Sequence, residues 1–186
     1  MKDRTRWKII LLIALLIFLD LWTKELAKSF LKETFTYSNT FPYGGIAIFE
    51  GFLSGIDFSL GYVENKGAAF GFFHNFPKIL LLFRLILVSF LGYLVFFKEK
   101  KHIVRLGLSF VIAGALGNLA DVFRQQYVID FLNFHFYGYP FPLFNLADSL
   151  ITIGGVMLIF FEIPIFKKFT EDHLEKGSIN VYTTKE

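Results

Sequence analysis

Apolar residues dominate four stretches of the chain: Ile9 to about Phe30, Ile79 to Phe97, Ile103 to Leu119, and about Ala147 to Phe166. Each approaches the ~20 residues that a helix needs to cross the hydrocarbon core of a bilayer, so the pattern predicts four membrane-spanning helices. The stretch after the first run has a different texture. Between Leu31 and Lys78, Tyr37, Phe41, Tyr43, Phe49, Phe52, Phe58 and Tyr62 are scattered among glycines and β-branched residues, which predicts short strands. Aromatic rings are favoured at the membrane interface, so these strands are expected to lie over the membrane as a small sheet. From Thr170 to Glu186 the chain is polar and mixed in charge. It therefore reads as one membrane-embedded domain over residues 1–169, with a β-rich insertion at 31–78, followed by a polar cytoplasmic tail at 170–186.

Basic residues set the orientation. Lys2, Arg4, Arg6 and Lys8 precede the first apolar run, Lys98, Lys100, Lys101 and Arg105 separate the second from the third, and Lys167 and Lys168 follow the fourth. With four spans all three clusters fall on one side, which the positive-inside rule makes cytoplasmic. Both termini are then inside, and the connections at 31–78 and 120–146 lie outside, where they can meet above the helices. A charged start before an apolar core also marks a signal peptide, but no small-x-small cleavage pattern follows and three more runs do. The first run is expected to be retained as a helix.

Composition supports this class and removes several chemistries. With 54% hydrophobic residues against 19% charged, the chain of 186 residues is too apolar for a soluble domain, and it fits a polytopic membrane protein. Its net charge of +3 is accounted for by orientation in the membrane, without a nucleic-acid partner. The absence of cysteine excludes a thiolate nucleophile, a disulfide framework and sulfur-ligated metal. His74, His102, His135 and His173 fall on different connections with no i, i+4 pair, so no metal site and no cofactor is expected. Ser149 is adjacent to Asp148 and one helical step around from it, which disfavours a Ser-His-Asp triad.

What remains is a set of acids and amides near the outer ends of the apolar runs. A carboxylate at or near membrane depth costs several kcal/mol, roughly, and is by default a functional-site hypothesis. Asp130 lies between Ile129 and Phe131 in a strand-like run, where it has no capping duty and needs a partner or a proton. Asp148, in Asn145-Leu146-Ala147-Asp148, falls in the first turn of the fourth span, where either helix capping or a chemical role accounts for it. Two such acids brought together can share a proton and perform acid–base chemistry. Asp20 and Lys24 are four apart on one helix face, as a structural ion pair or as substrate-facing groups. Asn65-Lys66-Gly67-Ala68-Ala69-Phe70-Gly71 permits close backbone approach or forms an ordinary glycine turn. Ala113, Gly114 and Gly117 form a small packing surface, followed by Asn118, which a helix C-cap would also explain, and by Asp121. These acids leave three readings: a membrane aspartic peptidase, a small proton-coupled carrier using Asp20, Asp130 and Asp148 as a relay, or a scaffold whose acids are structural.

Five motifs in order, D-L-W-T-K at Asp20 to Lys24, N-K-G-A-A-F-G at Asn65 to Gly71, G-A-L-G-N-L-A-D at Gly114 to Asp121, V-I-D-F at Val128 to Phe131 and F-N-L-A-D-S at Phe144 to Ser149, closely resemble the bacterial lipoprotein signal peptidases (signal peptidase II). The resemblance implies an α-helical polytopic membrane protein of four transmembrane helices with a small extracytoplasmic β-cradle. It implies that Asp130 and Asp148 are the catalytic dyad. By the same resemblance Asn118 and Asn145 line the site, and Asp20, Lys24, Asn65, Gly67 and Asp121 support the site or the bound substrate. The implied activity removes the signal peptide from diacylglyceryl-modified prolipoproteins, cutting just before the lipidated cysteine. Its partners are then those precursors and membrane lipids, and the protein is expected to be a monomer in the bacterial inner membrane. One departure stands out: the family usually places arginine after the equivalent of Asp121, whereas this chain has Val122, with Arg124 two positions on.

Overall fold

The computed structural model describes residues 3–33, 45–66, 77–99 and 101–162. Gly67 and most of its motif, His74, His173 and the tail at 170–186 lie outside the described residues. Four helices, α1 (Asp3–Leu31), α2 (Pro77–Tyr93), α3 (His102–Gln125) and α4 (Leu146–Glu162), correspond to the four apolar runs. α2 continues into a π-helical turn over Leu94–Lys98. Two helical stretches, Leu81–Lys98 and His102–Gln125, are long and apolar enough to cross a membrane, and the apolar stretch Leu146–Phe161 is shorter.

The outward surface of these helices is itself apolar. Leu11, Leu15, Phe18 and Trp22 on α1, Leu82, Phe83, Ile86 and Phe90 on α2, and Ile153, Val156 and Ile159 on α4 are all exposed. So broad an exposed apolar surface is stable against hydrocarbon and not against water. Inward stripes follow helical spacing. On α1, Ile9, Ile13, Asp20, Lys24, Ala27 and Leu31 are buried, so one stripe carries core residues at both ends and an ion pair in its middle. Ile9 and Ile13 join Val95, Val104, Leu108, Ile112, Ala113 and Leu150 in the main core.

α3 is the central helix, and it meets α4 through small residues. A Cβ added at Gly114 would collide with the Ala147 carbonyl, and one at Gly107 would come within 3.2 Å of the Gly154 carbonyl. This is the close backbone approach that the small residues of the third run suggested. α3 also runs six residues past the expected end at Leu119, closing at Gln126 in the left-handed conformation. Asn118 is therefore inside the helix, and the possible C-cap role is corrected: two more turns of helix follow it, and its side chain faces α1 and α4.

The strands form one antiparallel sheet in the order β1 (Ile46–Phe52), β2 (Ile56–Asn65), β3 (Val128–Phe136) and β4 (Tyr139–Pro140). The strands expected between the first two runs are thus present, and the run around Asp130 adds to them as β3. An irregularity between Leu60 and Val63 resets the β2–β3 register, after which Val63 faces Asp130 and Asn65 faces Val128. A second, smaller core of Ala27, Leu31, Ile129 and Phe131 docks the sheet on the end of α1. A bridge between Leu132 and Phe144 then leads the chain from the sheet directly into α4.

Candidate active site

Asp130 and Asp148 reach one locality from opposite directions, the first on β3 and the second in the first turn of α4. Asn145 joins them. Its Nδ2 donates to Asp130 Oδ1 at 2.7 Å, its Oδ1 accepts from the Asp148 backbone N–H at 3.0 Å, and its own N–H donates to Asp148 Oδ2 at 3.3 Å. The last two bonds are a reciprocal capping box at the start of α4. Capping and site geometry are therefore not alternatives for Asp148. The cap fixes its rotamer, and its second oxygen, Oδ1, accepts from Asn118 Nδ2 at 2.8 Å.

Asp130 is 3% exposed, and its other oxygen accepts from Asn65 Nδ2 at 2.9 Å. Burial pushes its carboxyl up to about 6. The amide donations from Asn65 and Asn145 act the other way, and the charge of Asp148 adds to the rise. Desolvation wins because neutral amides offset only part of the cost of taking a carboxylate out of water. A carboxyl with this midpoint is protonated in an appreciable fraction of molecules near neutral pH and can donate a proton as well as accept one.

Behind the pair lies a buried ionic cluster. Lys24 Nζ is 2.8 Å from Asp20 Oδ2, 2.9 Å from Asp121 Oδ2 and 2.9 Å from Asn118 Oδ1. Lys24 donates hydrogen bonds to Asp20 Oδ2 and Asn118 Oδ1, while Asp121 Oδ2 is paired with it by charge and accepts no hydrogen bond among the described residues. Asp20 also accepts the Ala147 N–H at 2.8 Å through Oδ1, filling a free donor in the first turn of α4. A continuous chain of contacts runs from Asp20 and Asp121 through Lys24 and Asn118 to Asp148. The sequence left Asp20 and Lys24 open between a structural pair and substrate contact; both are essentially sealed from the surface, at 0% and 1% exposure, and their polar contacts are to each other, Asn118, Asp121 and the start of α4.

Among the residues named from sequence, Asp20, Lys24, Asn65, Asn118, Asp121, Asp130, Asn145 and Asp148 converge on this one locality. Ser149 turns away and donates to the Asn145 carbonyl at 3.0 Å. Arg124 does not stand in for the missing arginine, because it is on the outer side of α3, 3.8 Å from Glu25 with both side chains more than half exposed. One group was missed. Arg84 is half-buried on α2, on the stripe it shares with Val88 and Leu91, which pack against the main core. Its signal in the sequence was available, since it is the one charged residue between Lys78 and Lys98.

Comparison with known proteins bears on this assembly. Residues 12–164 match the family described as Signal peptidase (SPase) II. The chain belongs to the signal peptidase II family. A lipoprotein signal peptidase of Clostridium novyi (strain NT) is 41% identical over 106 residues, covering 56% of this chain and 72% of that protein. One from Caldanaerobacter subterraneus is 34% identical over 150 residues, covering 80% of this chain and 91% of that one. A bacterial membrane enzyme solved by the in meso method has a TM-score of 0.62 at 26% identity, covering 82% of this chain and 90% of the other. A second such structure covers 96% of this chain and 93% of its own at 24% identity, with the same TM-score of 0.62, which speaks to the fold. Membership in signal peptidase II makes the chain a peptidase of the membrane, and the carrier reading has no support in the family.

Proposed function

We propose that this signal peptidase II is an aspartic endopeptidase that removes the signal peptide from diacylglyceryl-modified prolipoproteins, cutting just before the lipidated cysteine. The observation that carries the reading is the pairing of Asp130 and Asp148 through Asn145, with a buried acid of raised affinity for its proton beside a helix-capping carboxylate. The roles follow from the environments. Asp148 at the positive end of α4 is the ionised member, taking a proton from the water that attacks the scissile carbonyl. Asp130 is the protonated member, donating to the carbonyl oxygen. The tetrahedral intermediate collapses as a proton passes to the leaving amine, and the dyad titrates as a unit.

Asn118, Asn145 and Asn65 orient the two carboxyls, and Asp20, Lys24 and Asp121 brace Asn118 and the start of α4. Gly67 completes the supporting set by the family resemblance. The peptide reaches the dyad from the bilayer beneath the sheet, with four spans, both termini in the cytoplasm and the site near the outer face of the inner membrane. The protein works as a monomer on lipid-modified precursors, without metal or cofactor.

The test is cleavage of purified diacylglyceryl-prolipoprotein by the reconstituted enzyme. Asp130→Asn and Asp148→Asn are each expected to lower turnover by about 10²-fold or more, while thermal unfolding remains cooperative. Full turnover by either folded variant would remove the dyad.

A further inference from the structure

At the end of the bundle away from the two aspartates, a cleft of about 380 Å³ lies between α2, α3 and α4. Its walls are Leu91 and Leu94 from α2 and the π-helical turn, Val104 and Leu108 from α3, and Leu158 from α4, and Lys98 and Glu99 complete the lining where the turn ends. The volume falls within the ~300–1,000 Å³ of ligand-binding clefts, but leucine and valine walls give water too few polar partners to hold it there. Left empty, such walls would forgo the dispersion contacts that the rest of the interior makes. The outward surfaces beside the cleft are apolar as well, with Phe90 on α2 and Ile159 on α4 exposed. Hydrocarbon is therefore the medium that both adjoins the cleft and fits it.

Beside the cleft stands a buried cation with no anion. Arg105, which closes the first turn of α3, is 8% exposed. Its Nε and Nη2 both donate to the Glu99 carbonyl, at 2.9 and 2.7 Å, pinning the end of the π-helical turn to the start of α3. A guanidinium has five donors, and these bonds use two of them. Among the described residues no carboxylate forms an ion pair with it. Its position is adverse too, because a cation at a helix start meets the positive end of the helix dipole, and α3 has no acid in its first turn and no side-chain cap at Lys101. The other charged groups nearby are Lys98, whose ammonium lies 5.8 Å from the centre of the Tyr93 ring, Lys101, and Glu99, whose carboxylate accepts the Lys101 N–H at 2.6 Å. Lys98, Lys101 and Arg105 thus outnumber the single carboxylate of Glu99. Arg105 adjoins the cleft directly, since Val104 before it and Glu99, to which it donates, both line the walls.

We propose that this cleft is a binding site for an anionic phospholipid: one acyl chain fills the apolar walls between α2, α3 and α4, and the phosphate accepts from Arg105 and Lys98. Each half of the ligand answers one of the two observations. A free anion would leave the walls unfilled, and an alkyl chain alone would leave the guanidinium unmatched. The planar fork of Arg105 suits the oxygens of a phosphate, and the site is at the end that the basic clusters assign to the cytoplasm, where anionic headgroups collect beside juxtamembrane Lys and Arg. The bound lipid would act as a wedge that ties α2 to α3 and α4, independently of the chemistry at Asp130 and Asp148.

The experiment is native mass spectrometry of the full-length protein, delipidated in detergent and then mixed with equal amounts of dioleoyl-phosphatidylglycerol and dioleoyl-phosphatidylcholine. Wild type is compared with Arg105→Gln, Lys98→Gln, Leu91→Phe and Leu158→Phe, and thermal unfolding of each serves as the control for folding. Wild type is expected to retain one phosphatidylglycerol in preference to the zwitterionic lipid, and to unfold at a higher temperature when it is bound. Loss of a hydrogen bond to a charged group should weaken that retention about ten-fold in Arg105→Gln, with a smaller loss in Lys98→Gln. The two phenylalanine variants keep every cation but fill the cleft from opposite walls, and both should lose the lipid. Equal retention of the two lipids by wild type would overturn the proposal. So would wild-type retention of phosphatidylglycerol by a folded phenylalanine variant, which would reduce the basic residues to a headgroup attractor with no chain site. If Arg105→Gln unfolds through loss of the Glu99 carbonyl contact, the decision rests on Lys98→Gln and the phenylalanine variants, which leave that contact intact, and wild-type retention in either kind overturns the proposal. Cleavage by the dyad enters none of these readouts, so the two readings fail separately.

Discussion

Asn145 satisfies three demands with one side chain: it caps α4, it holds Asp130, and through the cap it fixes Asp148. Asn145→Ala is therefore expected to cost about 1 kcal/mol of stability through the lost cap and a far larger factor in turnover, because both carboxyls lose their register. Unfolding and cleavage assays on the same preparation separate the two effects. Asp130 makes a second demand on the fold. Its folded-state midpoint of about 6 lies above the ordinary aspartate value of 3.8, so the folded chain binds the proton more tightly than the unfolded one. The stabilisation is fully present below about pH 4 and is lost as pH rises through about 6, amounting to on the order of 3 kcal/mol. Thermal unfolding followed between pH 4 and 7 should show this downward slope in the wild type and a flatter one in Asp130→Asn. Equal slopes would mean that burial does not hold the proton on Asp130.

At the scale of elements, the site depends on how closely α3 approaches its neighbours. A Cβ at Gly117 would fall on the Asp20 carboxylate, the group that contacts both Lys24 and the Ala147 N–H. Gly117→Ala is expected to lower turnover on the order of 10- to 10²-fold by displacing that carboxylate and the helix start it holds. Gly114→Ala instead presses on the Ala147 backbone and should destabilise the protein by about 1–3 kcal/mol. A Gly117→Ala enzyme with wild-type turnover would show that Asp20 does not brace the site. These contacts explain what the sequence made legible. Apolar runs marked the helices, and small residues marked their closest contact, because both are local properties of composition and spacing. The pairing of β2 with β3 joins two distant connections, and the bonding of Asn145 to Asp130 depends on it. Local pattern carries no such information; only the ordered motifs pointed to it. Arg84 escaped notice for a related reason: one cation in an apolar run acquires meaning only when the stripe it shares with Val88 and Leu91 is seen to face the core.

For the whole molecule, the arrangement of charge, sheet and helices makes sense as a machine that works from within the bilayer. The sheet carries a linked series of stacked and edge-on rings, from Phe49 through Phe58 and Phe134 to Phe144 and Phe141. Asp130 and Asp148 lie where this sheet meets the helix ends, so the proposed dyad would let a lipid-bearing peptide stay in hydrocarbon while its scissile bond reaches the carboxyls. That geometry requires the sheet and the connection between α2 and α3 to lie on opposite sides of the membrane. The lack of native cysteine makes the requirement directly measurable with single-cysteine variants at exposed positions. In spheroplasts, Glu50→Cys and Tyr139→Cys on the sheet should react with an impermeant maleimide without permeabilisation. Arg4→Cys and His102→Cys should react only after the membrane is opened. Labelling of Tyr139→Cys and His102→Cys from the same side would mean that α3 does not cross, and the outer-face site would fall with it. The expected alternation would instead place Asp130 beside the end of the membrane from which an exported precursor emerges, with Lys98, Lys101 and Arg105 anchoring the opposite end in the cytoplasm.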